Sequence, residues 1–376
     1  MEGENKEDFD LNSHLRALQD WLGQQNLDLG YISNPVNINY LTGFYSDPEE
    51  RVTALIAFPD HDPFLFVPAL SVEAVKLTGW PYDVFGYLDH EEPFKLIADH
   101  INAATSTTKL WAIEKDDLPV FRYEAILKNF PQAAFPADAS RFLEGQKLFK
   151  TPDEIALMVE AGQQADRAFA AGFAAIKAGV TEQEVVAEIE YAMMKEGVMN
   201  MSFDTIVQAG ADAANPHGGP EKTKLQPGEL VLFDLGTDNK GYMSDATRTV
   251  AFGEVTGKAK DIYDVCLEAQ LTAQAAIKPG LTAAELDKIA RDVITKAGYG
   301  EYFIHRLGHG IGTSTHEFPS IMEGNDMTLE PGMCFSIEPG IYIPGVAGVR
   351  IEDCVHVTET GSESFTHTSK EFTRID

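Results

Sequence analysis

The chain has 376 residues, enough for two domains with cores of their own, and carries a formal net charge of −30. That excess of carboxylates repels phosphate backbones and argues against a nucleic-acid partner. No apolar run approaches the length of a bilayer span, so no membrane partner is expected.

Met1 to Asp8 is strongly acidic and lacks the cationic and apolar regions of a signal peptide. With three cysteines at no framework spacing, the chain fits a reducing compartment, and a soluble, cytoplasmic protein is expected. A helix-like stretch over Leu15 to Leu22 and the short apolar strands Leu55 to Phe58 and Phe64 to Val67 predict a smaller α/β domain over residues 1–142. It shows no cluster of chemistry-bearing residues, so its expected role is enclosing a ligand or dimerisation.

The second domain is expected over residues 143–376. Thr151-Pro152-Asp153-Glu154 reads as a capping box with proline at the first helical position, starting a helix that runs toward Gly179. Beyond it the chain repeats itself. Ile176 to Glu184 (IKAGVTEQE) matches Ile277 to Glu285 (IKPGLTAAE), each with a Thr-x-x-Glu capping box opening an amphipathic helix. Leu225 to Gly236 (LQPGELVLFDLG) matches Leu329 to Gly340 (LEPGMCFSIEPG), and the match lays Asp234 on Glu338. A repeat seen only twice at a period of about a hundred residues means two similar half-domains and not a solenoid, giving one α+β domain with internal pseudo-twofold duplication.

The duplicated strands end in carboxylates. Leu230-Val231-Leu232-Phe233 is a buried-strand run ending in Asp234, and Asp238-Asn239-Lys240-Gly241 is a turn cluster. If Thr237 pairs with Tyr242, Asp234 lies directly across the ladder from Asp245. Their Cβ atoms are then roughly 4.5 to 5.5 Å apart on one face. Two buried carboxylates so placed repel unless a cation lies between them. In the second half Glu338 and Glu352 oppose one another if the chain reverses at Pro344-Gly345-Val346, with Pro339 making that pairing irregular. His309 sits in GHGIG, where glycines permit close backbone approach. This string fails the dinucleotide-binding pattern, and His316-Glu317 fails the zincin pattern because Ser320 stands where a second histidine is required.

Asp234, Asp245, His309, Glu338 and Glu352 therefore form a set of four carboxylates and one imidazole. That is too many donors for a lone tetrahedral ion, but it suits two divalent ions roughly 3.5 to 4 Å apart. Oxygen-rich ligation with a single imidazole suits a harder ion such as manganese better than a structural zinc site, and cobalt and zinc stay open as alternatives. Arg350, two residues before Glu352, is placed to orient that carboxylate from outside the ligand set or to form an ordinary salt bridge. Cys334 and Cys354 are expected to be buried small hydrophobes. On their own, His217 and His316 stay open between a functional and a structural reading.

LFDLG with YMSDATRT, HRLGHGIG with HEFP, SIEPGIY and GVRIED together resemble the pita-bread peptidase family that includes methionine aminopeptidase, aminopeptidase P and prolidase. NINYLTGF and SDPEER in the N-terminal, creatinase-like part are similar to bacterial prolidases. The resemblance implies that the five residues above bind two metal ions and that a bridging hydroxide attacks the peptide carbonyl. It implies that Glu338 acts as general base, which geometry alone does not separate from Glu352, and that His217 and His316 contact the substrate or its tetrahedral intermediate. The implied activity is Xaa-Pro dipeptidase acting on small Xaa-Pro peptides, in a homodimer where Asp47 to Arg51 reach a partner's active site. A dipeptidase must bind the free carboxylate of the C-terminal proline. Arg306, three residues before His309, is the first candidate and Arg51 the second. The alternatives are aminopeptidase P acting on longer peptides, a creatinase-like C–N hydrolase, and a non-catalytic relative. The complete ligand set disfavours the last two, and the large N-terminal domain disfavours methionine aminopeptidase.

Overall fold

The computed structural model describes residues 11–376, so the acidic stretch Met1 to Asp8 lies outside the described residues. The chain divides into two compact units between Gln146 and Lys147.

The first unit is built on a six-stranded sheet in the order Asp83–Tyr87, Phe64–Pro68, Ala54–Ala57, Leu29–Ile32, Leu110–Ile113, Ala134–Asp138. Its central strands are apolar throughout because both faces are covered. Alternate residues serve different cores: Ile32, Leu55 and Leu65 pack with Leu15, Leu18 and Leu22 of helix Leu11–Gln24, whereas Tyr31, Ile56 and Phe66 pack with Ile97 and Ile101 of helix Pro93–Ala104. The expected strands at 55–58 and 64–67 are present as Ala54–Ala57 and Phe64–Pro68.

The second unit carries the duplication. Helices Pro152–Ala175 and Glu182–Lys195 pack together, as do Lys258–Ala276 and Ala283–Lys296. All three expected capping boxes form, at Thr151/Glu154, Thr181/Glu184 and Thr282/Glu285. The loops before the second helix of each pair are pinned alike: Gly179 N donates to Leu225 O at 3.0 Å, and Gly280 N to Leu329 O at 3.0 Å. Each helix pair covers its own sheet and core. The first contains Val207, Val231, Phe233 and Val250 beside Phe169 and Ile189; the second contains Phe335, Ile337, Ile341 and Val355 beside Ile262 and Leu286.

The ligand-bearing strands show one agreement and one correction. Ile337 opposes Asp353 and Gly340 opposes Arg350, so a single register carries Glu338 opposite Glu352, as expected. The regular ladder breaks between those pairs, where Glu338 N donates to Leu307 O and Glu352 N to Thr247 O. In the first half the expected register is wrong by two residues. Asp234 opposes Thr247, not Asp245, because the hairpin closes through Asn239↔Tyr242 with only Lys240 and Gly241 in the turn. Both turn residues have positive φ, 55° and 87°, which is the tight turn that matches strand twist. A two-residue slip preserves the face, so Asp245 remains a diagonal neighbour of Asp234.

Candidate metal centre

The carboxylates and His309 line a cavity of about 480 Å³ in the second unit. Ligand atoms of Asp245, His309 and Glu352 lie within 4.8 Å of one another. His309 Nε2 is 3.3 Å from Glu338 Oε1 and 3.6 Å from Asp245 Oδ2. Arg350 holds Asp234 from behind through Nη2. The expected close backbone approach around His309 is present: a Cβ on Gly308 would lie 1.9 Å from Ser336 O, so only glycine fits.

The imidazole is oriented by its own chain. Its Nδ1 is 3.1 Å from Gly310 O, and a carbonyl can only accept, so Nδ1 carries the hydrogen and Nε2 is left with its lone pair. Burial lowers the His309 pKa to about 4, so the ring is neutral. A neutral nitrogen lone pair therefore faces two carboxylate oxygens, an arrangement that is repulsive until a cation sits between them.

The carboxylates make the same demand. Burial pushes Asp245 and Glu352 well above the usual range, and the charges of their carboxylate neighbours add to it; Glu338 is raised chiefly by burial, against the opposing charges of His305 and Arg350. Asp234 Oδ1, Asp245 Oδ1 and Glu352 Oε1 are buried without a hydrogen-bond partner among the described residues. Orphaned acceptors around a neutral imidazole fit divalent cations bound by mixed oxygen and nitrogen donors.

Several residues without a sequence signal brace this set. Thr247 Oγ1 donates to Glu352 Oε2 at 2.7 Å and accepts from Arg350 Nε at 3.0 Å. Arg350 thus reaches Glu352 only through Thr247 and ion-pairs with Asp234 instead, because the strand break between Arg350 and Asp353 ends the simple alternation of faces. Tyr342 Oη accepts from Arg350 Nη1 at 2.9 Å and lies 3.0 Å from His305 Nε2. Ser336 Oγ accepts from His309 N and donates to Glu338 Oε1, both at 3.0 Å. Buried Arg248 donates to Glu352 O and pairs with Asp353 at 2.7 Å, fixing the backbone that carries Glu352.

Among the remaining candidates, His217, His316 and Arg306 all line the cavity. The His316 ring centroid is 4.1 Å from that of His309. Its pKa is lowered to about 4, first by desolvation and then by the nearby His309 and Arg306. Arg306 Nη1 donates to Ser320 Oγ at 3.0 Å, and among the described residues its guanidinium pairs with no carboxylate. Arg51 is engaged within the first unit, with Nε 3.0 Å from Asp89 Oδ1. Cys334 and Cys354 are buried free thiols, as expected.

Two similar half-domains that converge carboxylates and one imidazole on a cavity lined by further histidines and an arginine define a hydrolase built around divalent metal. The chain belongs to Metallopeptidase family M24, which matches residues 156–359, and residues 14–146 match the Creatinase/Prolidase N-terminal domain. It is 58% identical to a Xaa-Pro dipeptidase of Lactobacillus helveticus over 95% of this chain and 98% of that protein. Its fold matches the crystal structure of a prolidase from Thermococcus sibiricus with a TM-score of 0.91 at 33% identity, covering 98% of this chain and 100% of that one. A Xaa-Pro dipeptidase from Bacillus anthracis matches with a TM-score of 0.87 at 35% identity, covering 97% and 100%. The smaller α/β domain followed by a pita-bread metallopeptidase domain is thus the architecture of this chain.

Proposed function

We propose that the protein is a Xaa-Pro dipeptidase, hydrolysing the peptide bond that precedes the C-terminal proline of a dipeptide. The observation that carries this reading is Arg306, a guanidinium on the cavity wall with no carboxylate partner among the described residues, beside a carboxylate cluster that requires cations. The Lactobacillus helveticus relative supports it.

In this reading Asp234, Asp245, His309, Glu338 and Glu352 hold two divalent ions, manganese before cobalt or zinc because the donors are mainly oxygen. Divalent ions held there would supply Lewis-acid chemistry for amide hydrolysis at neutral pH. Glu338, held at Oε1 by the Ser336 hydroxyl, takes the proton of the attacking water and returns it to the departing proline nitrogen. His316, neutral and beside His309, donates its N–H to the oxyanion that develops on the substrate carbonyl, with His217 as the second imidazole. Arg306 spends one donor on Ser320 and keeps the others for the proline carboxylate. Arg350 sets Asp234 directly and Glu352 through Thr247.

The same reading makes the protein a cytoplasmic homodimer, in which the first unit encloses substrate or dimerises. Three free, buried cysteines suit a reducing compartment, and no helix among the described residues is long and apolar enough to cross a membrane. Light scattering on the purified protein reads the oligomeric state. The activity is tested with Ala-Pro, Leu-Pro and Xaa-Pro-Yaa tripeptides after each metal is restored to stripped protein. Dipeptides are the expected substrates, and a preference for tripeptides would move the assignment to aminopeptidase P.

A further inference from the structure

Glu317 follows His316 directly, and its side chain is only 8% exposed. Its Oε1 accepts from Thr313 N at 2.9 Å, Thr313 Oγ1 at 2.9 Å and Ser314 N at 3.1 Å. Its Oε2 accepts from Lys150 Nζ at 2.9 Å, and the Lys150 side chain is 3% exposed. Besides Lys150, and the charge of Lys147 nearby, its hydrogen-bond partners among the described residues belong to the segment immediately before His316, which turns around the carboxylate. Gly312 is fitted to the pair, since a Cβ there would lie 2.6 Å from both Glu317 Oε2 and Lys150 Cε. Thr315 is tied separately, its hydroxyl donating to Ser202 O at 3.2 Å. His316 therefore stands between two anchored residues and projects from a loop with little room to shift.

A buried ion pair contributes little net stability compared with apolar side chains of the same volume, because both charges lose their hydration. The distinctive consequence of this pair is geometric. One oxygen gathers three donors of the loop while the other is fixed by a lysine that lies next to the start of the unit's first helix. We propose that Glu317, held by Lys150, is a positioning residue that sets the 313–316 loop so that the His316 imidazole meets the reacting carbonyl. This rests on the reading of His316 as the oxyanion donor.

Misplacing a catalytic group by about 1 Å costs on the order of a hundredfold in rate. The test is a double-mutant cycle on the metal-loaded enzyme, with kcat, KM and bound metal measured for each variant. Lys150→Met with Glu317→Ala removes both charges together, so no lone charge is left buried. It is expected to lower kcat about a hundredfold, with KM within a few-fold and metal content intact. Lys150→Met with Glu317→Gln keeps a carbonyl oxygen for the loop amides and should recover at least about tenfold of that loss. In a His316→Ala background the Lys150→Met, Glu317→Ala pair should cost almost nothing further. An equal fall in both backgrounds, or a kcat that the pair leaves unchanged, would overturn the inference while leaving the role of His316 standing. If His316→Ala alone leaves kcat unchanged, the oxyanion reading fails and this inference fails with it. Should the alanine pair not fold, Glu317→Asp keeps the charge and shortens the reach by one methylene. It is read by the same cycle, non-additivity supporting the proposal and additivity ending it.

Discussion

Replacing Arg306 by leucine separates recognition of the substrate carboxylate from structural support. The arginine lines the cavity, donates once to Ser320 Oγ, and has no carboxylate partner among the described residues. Two parallel hydrogen bonds to a carboxylate are each worth about 1.5–3 kcal/mol when charge-assisted. Because Arg306 is only half-buried, solvent screening reduces the pair to about 2–4 kcal/mol in total. That corresponds to a fall of about 30- to 1,000-fold in kcat/KM on Ala-Pro. Ala-Pro amide lacks the charge, so on it the variant should lose only what the broken contact with Ser320 costs. The ratio of the two losses cancels that shared structural cost, which makes the comparison sharper than either rate. The assay is proline or prolinamide release by wild type and variant at equal metal loading. Equal losses on both substrates would make Arg306 a structural residue and not the carboxylate-binding one.

Asp245→Ala and Glu352→Ala should each abolish turnover while the circular dichroism spectrum stays that of a folded protein; activity within about tenfold of wild type would contradict their assignment as ligands. His316→Ala should lower kcat by about a hundred- to a thousandfold with metal content nearly unchanged, read by steady-state kinetics beside elemental analysis. Loss of both metals in that variant would make His316 a ligand. Metal-stripped protein should lose stability as pH rises. The raised pKa values of Asp245, Glu352 and Glu338 mean that the folded state holds protons the unfolded chain releases. Their contribution is fully present below about pH 4, the ordinary carboxylate value, and is lost as pH climbs through the raised values. Thermal unfolding from pH 5 to 8 should show a declining midpoint for stripped protein and a flatter one after metal is restored; a midpoint that rises with pH would count against the buried cluster.

Much of this architecture is legible because its signals are local. Thr181 with Glu184 and Thr282 with Glu285 announce helix starts within four residues, and two matched dodecapeptides place Asp234 and Glu338 at equivalent positions of the two halves. The register of the second ligand pair follows from one turn at Pro344-Gly345-Val346. The first fails at a single point, since a four-residue loop was expected where Lys240 and Gly241 make a tighter turn. The strand parity kept the face correct even so. Thr247, Ser336, Tyr342 and His305 carry no local signal, because their importance arises from contacts with residues distant in the chain, such as Thr247 with Glu352. Thr247 had one available cue, its position two residues after Asp245 on the same strand face. Glu317 was hidden by its neighbour, for HEFP draws attention to the histidine while the glutamate fixes the loop.

The most direct test is metal titration of stripped protein, following both ions bound per chain and proline released from Ala-Pro. No turnover is expected without metal, and activity should return as manganese fills two sites per chain. Proline release by fully stripped protein, or a chain that binds no divalent metal at all, would contradict it.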